Sequence, residues 1–312
     1  MKVLDSLPQW QPHHQDHLVL HAARLADAPR LLAVRHAHRA RAAAPKCVVH
    51  VAHAAADAAP AAEPAAYVLV EESQHAGPRF SIIPVDEPEA AGRAASRAAL
   101  EAVCDLSLDT LRFFGMPRLA DEAAAELLPA RGYARVSHNP CAQFVLRRPL
   151  APAAVERWRR DVERLEGEGF ALSQLREGDA ELVDSLWPYR SATSLDFIKT
   201  AIIRGGLATS CVREGGPAGA VVAWVVEYED GSLGMLTTLR SHRRRGLARA
   251  ALVGLVQRLV EGEGRLAAHP LFCYVVAGNA PSLALLASLG FEETGVFAWQ
   301  AWRRARGSGR GA

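Results

Sequence analysis

Apolar residues recur along this chain with two periods, and the places where one period gives way to the other divide it. Val155, Trp158, Val162 and Leu165 fall three or four apart, the spacing of one helix face, until Gly167 stops the run. Two prolines in RRPLAPAAVERW precede that helix, so residues 148–156 read as a linker between halves at 1–150 and 151–302. In the first half, helical spacing at Leu18, Ala22 and Leu25 is followed by a strand candidate at 47–51 and an Ala/Pro/acid loop, HAAADAAPAAEPAA. Two strand runs come next, AAYVLVEE and PRFSIIPV, and the QHAGP stretch that parts them predicts an antiparallel hairpin. Helical patterns take up much of 87–130, and ARGYARVSHNPCAQFVLRR supplies a turn and a closing strand.

The second half is more sharply punctuated. FALSQL is a strand candidate, residues 179–187 form a short helix with Leu182, Val183 and Leu186 on one face, and Ser194 caps a helix carrying Leu195, Ile198 and Ile202 that Gly205 and Gly206 end. LATSCVR and AGAVVAWVVEY are consecutive strands across a GGP turn, and a hairpin turn at Asp230 and Gly231 leads into SLGMLTTL. After the basic run RSHRRRG comes a helix with Leu252, Val256, Leu259 and Val260 on one side, ending in EGEG. LFCYVV is a buried strand, PSLALLASL a short helix with Pro281 in its first turn and Gly290 as its stop, and VFAWQAW a last strand. Antiparallel hairpins in the middle of a mixed order predict an α+β fold rather than a doubly wound sheet.

Composition narrows the function classes. A chain of 312 residues, half of them apolar, can bury a sizeable core, and a formal charge of +2 is too small to argue for a nucleic-acid partner. Five scattered cysteines without a CxxC pair fit a reducing compartment, and no apolar run reaches the length that spans a bilayer. The opening MKVLDSLPQWQP lacks the apolar core of a secretory signal, so the expectation is an intracellular protein, cytoplasmic or mitochondrial. Arginines on an Ala/Leu background over 18–41 favour the second compartment, while Asp16 and Asp27 oppose it. The tail RRARGSGRGA, covering 303–312, is basic, glycine-rich and expected to be disordered.

The candidate chemistry sits in residues 243–248, RRRGLA, between a strand and a helix. Backbone N–H groups at a helix start have no partner within the helix, and with the dipole they favour an anion. Gly246 lets the backbone approach that anion, Ala248 keeps the next position small, and arginine side chains supply charge. A bare basic turn is more often a solvated surface, but here the flanking strand and helix favour a phosphate loop.

These residues match the [QR]xxGx[GA] pyrophosphate loop of the GNAT acyltransferase superfamily, and NAPSLALLASLGF over 279–291 resembles its second signature. More narrowly, FALSQLREGDAELVDSLWPYRSATSLDFIKTAI, SCVREGGPAGAVVAWVV and DGSLGMLTTLRSHRRRG are similar to the C-terminal half of the glycine N-acyltransferase-like family, over about residues 170–302. The resemblance implies that acyl-CoA or acetyl-CoA binds between strands 234–239 and 271–276, against Leu236, Thr237, Thr238 and Leu239, with its phosphates on Arg243, Arg244, Arg245, Gly246, Leu247 and Ala248. Asn279 and Ser282 would complete that site. It also implies acyl transfer to the amino group of a small amine or amino acid such as glycine, without a metal. Acetylation of protein amines, or CoA binding without turnover, are the alternatives.

Two positions depart from the family pattern. Ser232 stands where some members place a glutamate base, which leaves Glu227, Glu229, or a water chain through Ser232 or Thr237; of these Glu227 is favoured by position. Leu286 stands where many acetyltransferases carry a tyrosine acid, although a thiol of pKa about 8.5 leaves without strong help. The first half is expected to be a degenerate copy of the fold, since ELLPARGY followed by a strand echoes LLASLGF, but it has no RxxGxA loop. His13, His17 and His21 align at helical spacing, yet read as a polar face rather than metal ligands. Trp224, Trp299 and Trp302 read as core or pocket wall, Trp187 and Tyr189 as candidate walls of an acceptor pocket, and Cys273 as a small buried residue.

Overall fold

The computed structural model describes residues 47–52, 66–73, 77–84, 89–146, 150–228, 231–261 and 271–305. The expected first helices, His13, His17 and His21, the Ala/Pro loop, Glu229, Asp230, the EGEG stop beyond Glu261 and the tail from 306 lie outside them.

In the first half, β2 (Ala66–Ser73) and β3 (Gly77–Pro84) form the expected antiparallel hairpin, and β1 (Cys47–Ala52) pairs antiparallel with β2, which was not expected. The stretch expected to be mostly helical is α1 (Glu89–Asp105), a strand β4 (Thr110–Pro117), and α2 (Arg118–Ala130). In β4, buried Leu111 and Phe113 alternate with Arg112 and Phe114; the apolar Phe114 on the second face and the alanine-rich helices either side hid the period of two. Then β5 (Tyr133–Leu146) closes the half.

The second half begins with α3 (Pro152–Gly167), led by its proline at the first turn, then β6 (Phe170–Ser173) and α4 (Ala180–Ser185). Next comes α5 (Ser194–Phe197), which widens into a π-helical turn, Ile198–Arg204. Ser194 is not its cap: the residue lies inside the first turn, and its hydroxyl bonds Asp184 Oδ1 and Ser191 O, tying α5 to α4. Strands β7 (Thr209–Glu214), β8 (Ala220–Glu227) and β9 (Ser232–Thr238) form a meander, followed by α6 (Leu247–Glu261), β10 (Leu271–Val276), α7 (Ala280–Ser288) and β11 (Glu292–Arg304).

Among the described residues, eleven strands form one sheet in the order β1-β2-β3-β4-β11-β5-β10-β9-β8-β7-β6. The first half repeats the order of the second: β3-α1-β4-α2-β5 runs parallel in kind to β9-α6-β10-α7-β11, and in each the pair of strands flanking the first helix is parallel. The two closing strands are exchanged. β5 lies between β10 and β11, while β11 lies between β4 and β5. Burial follows the exchange: Phe144 and Leu146 of β5 pack into the core under α3, α6 and α7, and Trp302 of β11 packs with α1 and α2. A third cluster, with Trp224, Val226 and Met235, fills the other face of β7–β9 beneath α4 and α5. Among the described residues no helix is long and apolar enough to cross a membrane.

Candidate active site

The sheet opens in its middle. Parallel β9 and β10 pair only through Phe272↔Ser232 and Cys273↔Leu233, and from there to Thr238 and Val276 they share no pairing. β9 still bonds β8 on its other edge, through Trp224↔Thr237 and Ala223↔Thr238, so the amides and carbonyls of its inner edge face a gap. A bulge sharpens the opening: Val226 pairs Gly234 and Trp224 pairs Thr237, and Met235 takes φ 53°, rare for a side chain of its size. Gly234 is required there, because a Cβ on it would lie 2.0 Å from Cε2 of Tyr228.

The gap leads into the basic loop. After Leu239 a short 3₁₀ turn, Arg240–His242, is followed by Arg244 at φ 63° and Gly246 at φ 81°, and α6 starts at Leu247. Leu247 is buried and anchors the helix, whereas Arg243, Arg244 and Arg245 are exposed. Arg243 Nε donates to Thr238 O over 3.4 Å, and Arg245 lies 4.7 Å over the Phe170 ring and 3.9 Å from Glu214, which also meets His242 Nε2 at 3.1 Å. Where the gap meets the loop, Thr238 Oγ1 is buried without a hydrogen-bond partner. An unpaired edge, an orphaned hydroxyl and a glycine-hinged helix start suit a pantetheine arm ending in a pyrophosphate. Leu236, Thr237, Thr238 and Leu239 would border the arm; residues 243–248 would hold the phosphates. Asn279 caps α7 by accepting the Ser282 amide at 3.4 Å, and because β9 and β10 are parallel both lie at the same end of the gap as the basic loop, just past β10.

The three candidate proton carriers are divided between the two faces of the sheet. Glu227 pairs with Leu233 and so shares the face covered by α6; its carboxylate accepts the Ala208 amide at 2.8 Å. Ser232, beside Phe272, and Thr237, beside Trp224, lie on the opposite face. Thr237 Oγ1 donates to Met235 O at the bulge, 3.1 Å away. Leu286 is buried in the core, and Cys273, also buried, has its thiol pushed up to about 12 by desolvation, as expected of a packing residue. Among the described residues no cluster of His, Cys, Asp and Glu is arranged to hold a metal ion.

The first half has the equivalent opening, but it is stitched shut. β3 and β4 pair through Phe80↔Phe113 alone, and at the next step Ser81 Oγ donates to Phe114 O at 2.7 Å while Arg79 lies 4.8 Å over the Phe114 ring. Nothing in the sequence signalled this closure, since it depends on which strand lies beside β3.

The FR47-like protein family model matches residues 211–300, which run from β7 into β11. No curated protein matches the chain. Among solved structures it is similar to a Drosophila protein at 19% identity over 96% of this chain and 98% of that one, with a TM-score of 0.71. A GCN5-related N-acetyltransferase from Sphaerobacter thermophilus aligns at 16% identity over 97% and 98% of the two chains, with a TM-score of 0.53. At these identities the likeness is one of fold. The chain has an α+β fold of the GCN5-related N-acetyltransferase type.

Proposed function

We propose that the protein is an acyl-CoA-dependent N-acyltransferase that acts on a small amine. The observation that carries this reading is the parting of β9 and β10 after Leu233 and Cys273, leading into a loop hinged at Gly246 at the start of α6. An amine nitrogen attacks the thioester carbonyl, the C–S bond breaks, and the amide and the free thiol of CoA leave, with the amine proton passing to the thiol by way of the site. The glycine N-acyltransferase-like resemblance over 170–302 supports a free amine, amino acids included, over a protein amine. Since Glu227 faces α6 and is bonded to Ala208, the proton route we favour is a water chain through Ser232 or Thr237 on the opposite face.

Incubating the protein with acetyl-CoA and longer acyl-CoAs and a panel of free amines, and following thiol release, tests the reading. Thiol release that depends on both partners is the expected result. Tight acyl-CoA binding with no thiol released above background for any amine, up to high pH, favours the second reading, a CoA-binding module. Glu227 turned away and Leu286 in the core are the observations on its side.

A further inference from the structure

The two faces of the sheet differ where β9 and β10 part. On one, α3, α6 and α7 bury the strands, so no amine reaches the gap from there. On the other, the cover of α4 and α5 extends over β7–β9. Beyond it, Phe272, Tyr274 and Val276 of β10 pair with Val145, Gln143 and Cys141 of β5, which pair in turn with Glu292, Gly295 and Phe297 of β11, and Trp299 follows beside Asn139; Phe272, Val145 and Gln143 are the buried end of this face.

We propose that this face seats the acceptor, and that the acceptor is a primary amine carried on an aromatic ring. The inference rests on the acyltransferase reading above and names its substrate class. The ring of Tyr274 meets those of Trp299, Phe297 and Phe272 edge-on, with centroids 4.5, 5.6 and 5.8 Å away. Gln143, 1% exposed, fixes the cluster: its Nε2 donates to Tyr274 Oη at 3.0 Å and its Oε1 accepts from Thr294 Oγ1 at 2.8 Å. The loop after α4, whose Trp187 packs on the cluster beneath α4 and α5, carries two further rings. There Trp187 and Tyr189 meet edge-on at 6.2 Å, and Tyr189 remains 56% exposed, open to an entering molecule. Burial, and then the Cys141 thiol of β5, raise the Tyr189 phenol.

The one charged side chain that pairs into these rows is an acid, Glu292, beside Val145, and the cation of the loop, Arg190, is held 3.3 Å from Asp184. An amino-acid carboxylate seated there would lose its hydration without gaining a partner. An aryl ring gains edge and offset contacts from the partly exposed rings of this face, with Phe272 buried behind them, and its ammonium is attracted by their faces before the proton leaves.

The test compares glycine, ethylamine, hexylamine and 2-phenylethylamine at saturating acetyl-CoA, together with calorimetric binding of each amine to the CoA-loaded full chain. We expect kcat/KM for 2-phenylethylamine to exceed that for glycine and ethylamine by about 100-fold or more, the worth of two or three ring contacts. Tyr189→Ala and Trp299→Leu should each raise its KM about tenfold, with acetyl-CoA affinity unchanged. Glycine preferred over 2-phenylethylamine, or hexylamine equal to it, overturns the inference and leaves the transferase reading standing. So does a shift in acyl-chain preference, rather than amine KM, in the two variants. Calorimetric binding of 2-phenylethylamine without turnover of any amine sinks the transferase reading and keeps the aromatic seat; no binding and no turnover sink both.

Discussion

Replacing Gly246 by valine separates the cost to the fold from the cost to the ligand. At φ 81° the residue is in the left-handed region, so a side chain there costs about 1–2 kcal/mol of torsional strain. Packing adds little: the one protein atom within 4 Å of an added Cβ is Nη2 of Arg164, 3.4 Å away at the end of a flexible chain that pairs with Glu168. Against a total stability of about 5–15 kcal/mol, the variant should stay folded, with a lower Tm. The space the Cβ enters is otherwise empty of protein and lies at the helix start, where a phosphate would come close. Losing one charge-assisted contact there costs about 1.5–3 kcal/mol, or roughly 10- to 150-fold in Kd. Calorimetry with acetyl-CoA reads that loss directly, and thermal unfolding followed by circular dichroism reads the other. Gly246→Ala should show the strain with a smaller binding defect. A folded Gly246→Val chain that binds acetyl-CoA as tightly as the original would refute the phosphate-loop assignment.

Other substitutions test the rest of the reading. Glu227→Gln should leave turnover nearly unchanged, since the amide oxygen can still accept the Ala208 N–H, while Ser232→Ala with Thr237→Val should lower kcat about 100-fold at neutral pH and recover as rising pH frees the amine; the reverse pattern restores Glu227 as the base. One CoA should bind per chain, because Ser81 and Arg79 close the first-half opening; a measured stoichiometry of two would contradict this. Cys273 should resist alkylation in the folded protein at pH 8. Its raised pKa contributes stability that is complete below the ordinary thiol value of about 8.5 and lost as pH climbs toward about 12, so that Cys273→Ala flattens that alkaline decline. Residues 151–312 expressed alone should fail to fold, and should recover acetyl-CoA binding when 1–150 is supplied in trans; a monomeric, CoA-binding 151–312 would show that the exchanged strand is dispensable.

What the sequence made legible was local. Strands with a run of β-branched residues, the GGP turn, the proline-led helices α3 and α7 and the glycine at the start of α6 all lie where period and punctuation put them, because each is settled within a dozen residues. The basic loop was legible for the same reason. The shared face of Ser232 and Thr237, five residues apart, was not: it depends on a bulge at Met235 that shifts the β8–β9 register, and which helix covers which face was hidden too, since neither leaves a trace in spacing. β4 was masked by Phe114, an apolar residue on its second face, where a polar one would have shown the alternation.

The strand exchange has no sequence signal at all, and it decides what the linker means. The prolines ahead of α3 separate two runs of elements that repeat one another, yet the hydrogen bonds run across that division on both edges of β5. Without β5, the face carrying Tyr274 would lose Gln143, which holds its hydroxyl, and the core under α6 would lose Phe144 and Leu146, about 2–3 kcal/mol for each buried side chain. Without β11, Trp302 would leave the core of the first half. A half whose own opening is stitched shut therefore still shapes the open one, because the strand it lends lies beside β10 and forms the floor of the aromatic face. Retaining a copy of the fold that has no phosphate loop follows from that geometry: its strand is part of the site even though its own cleft is closed.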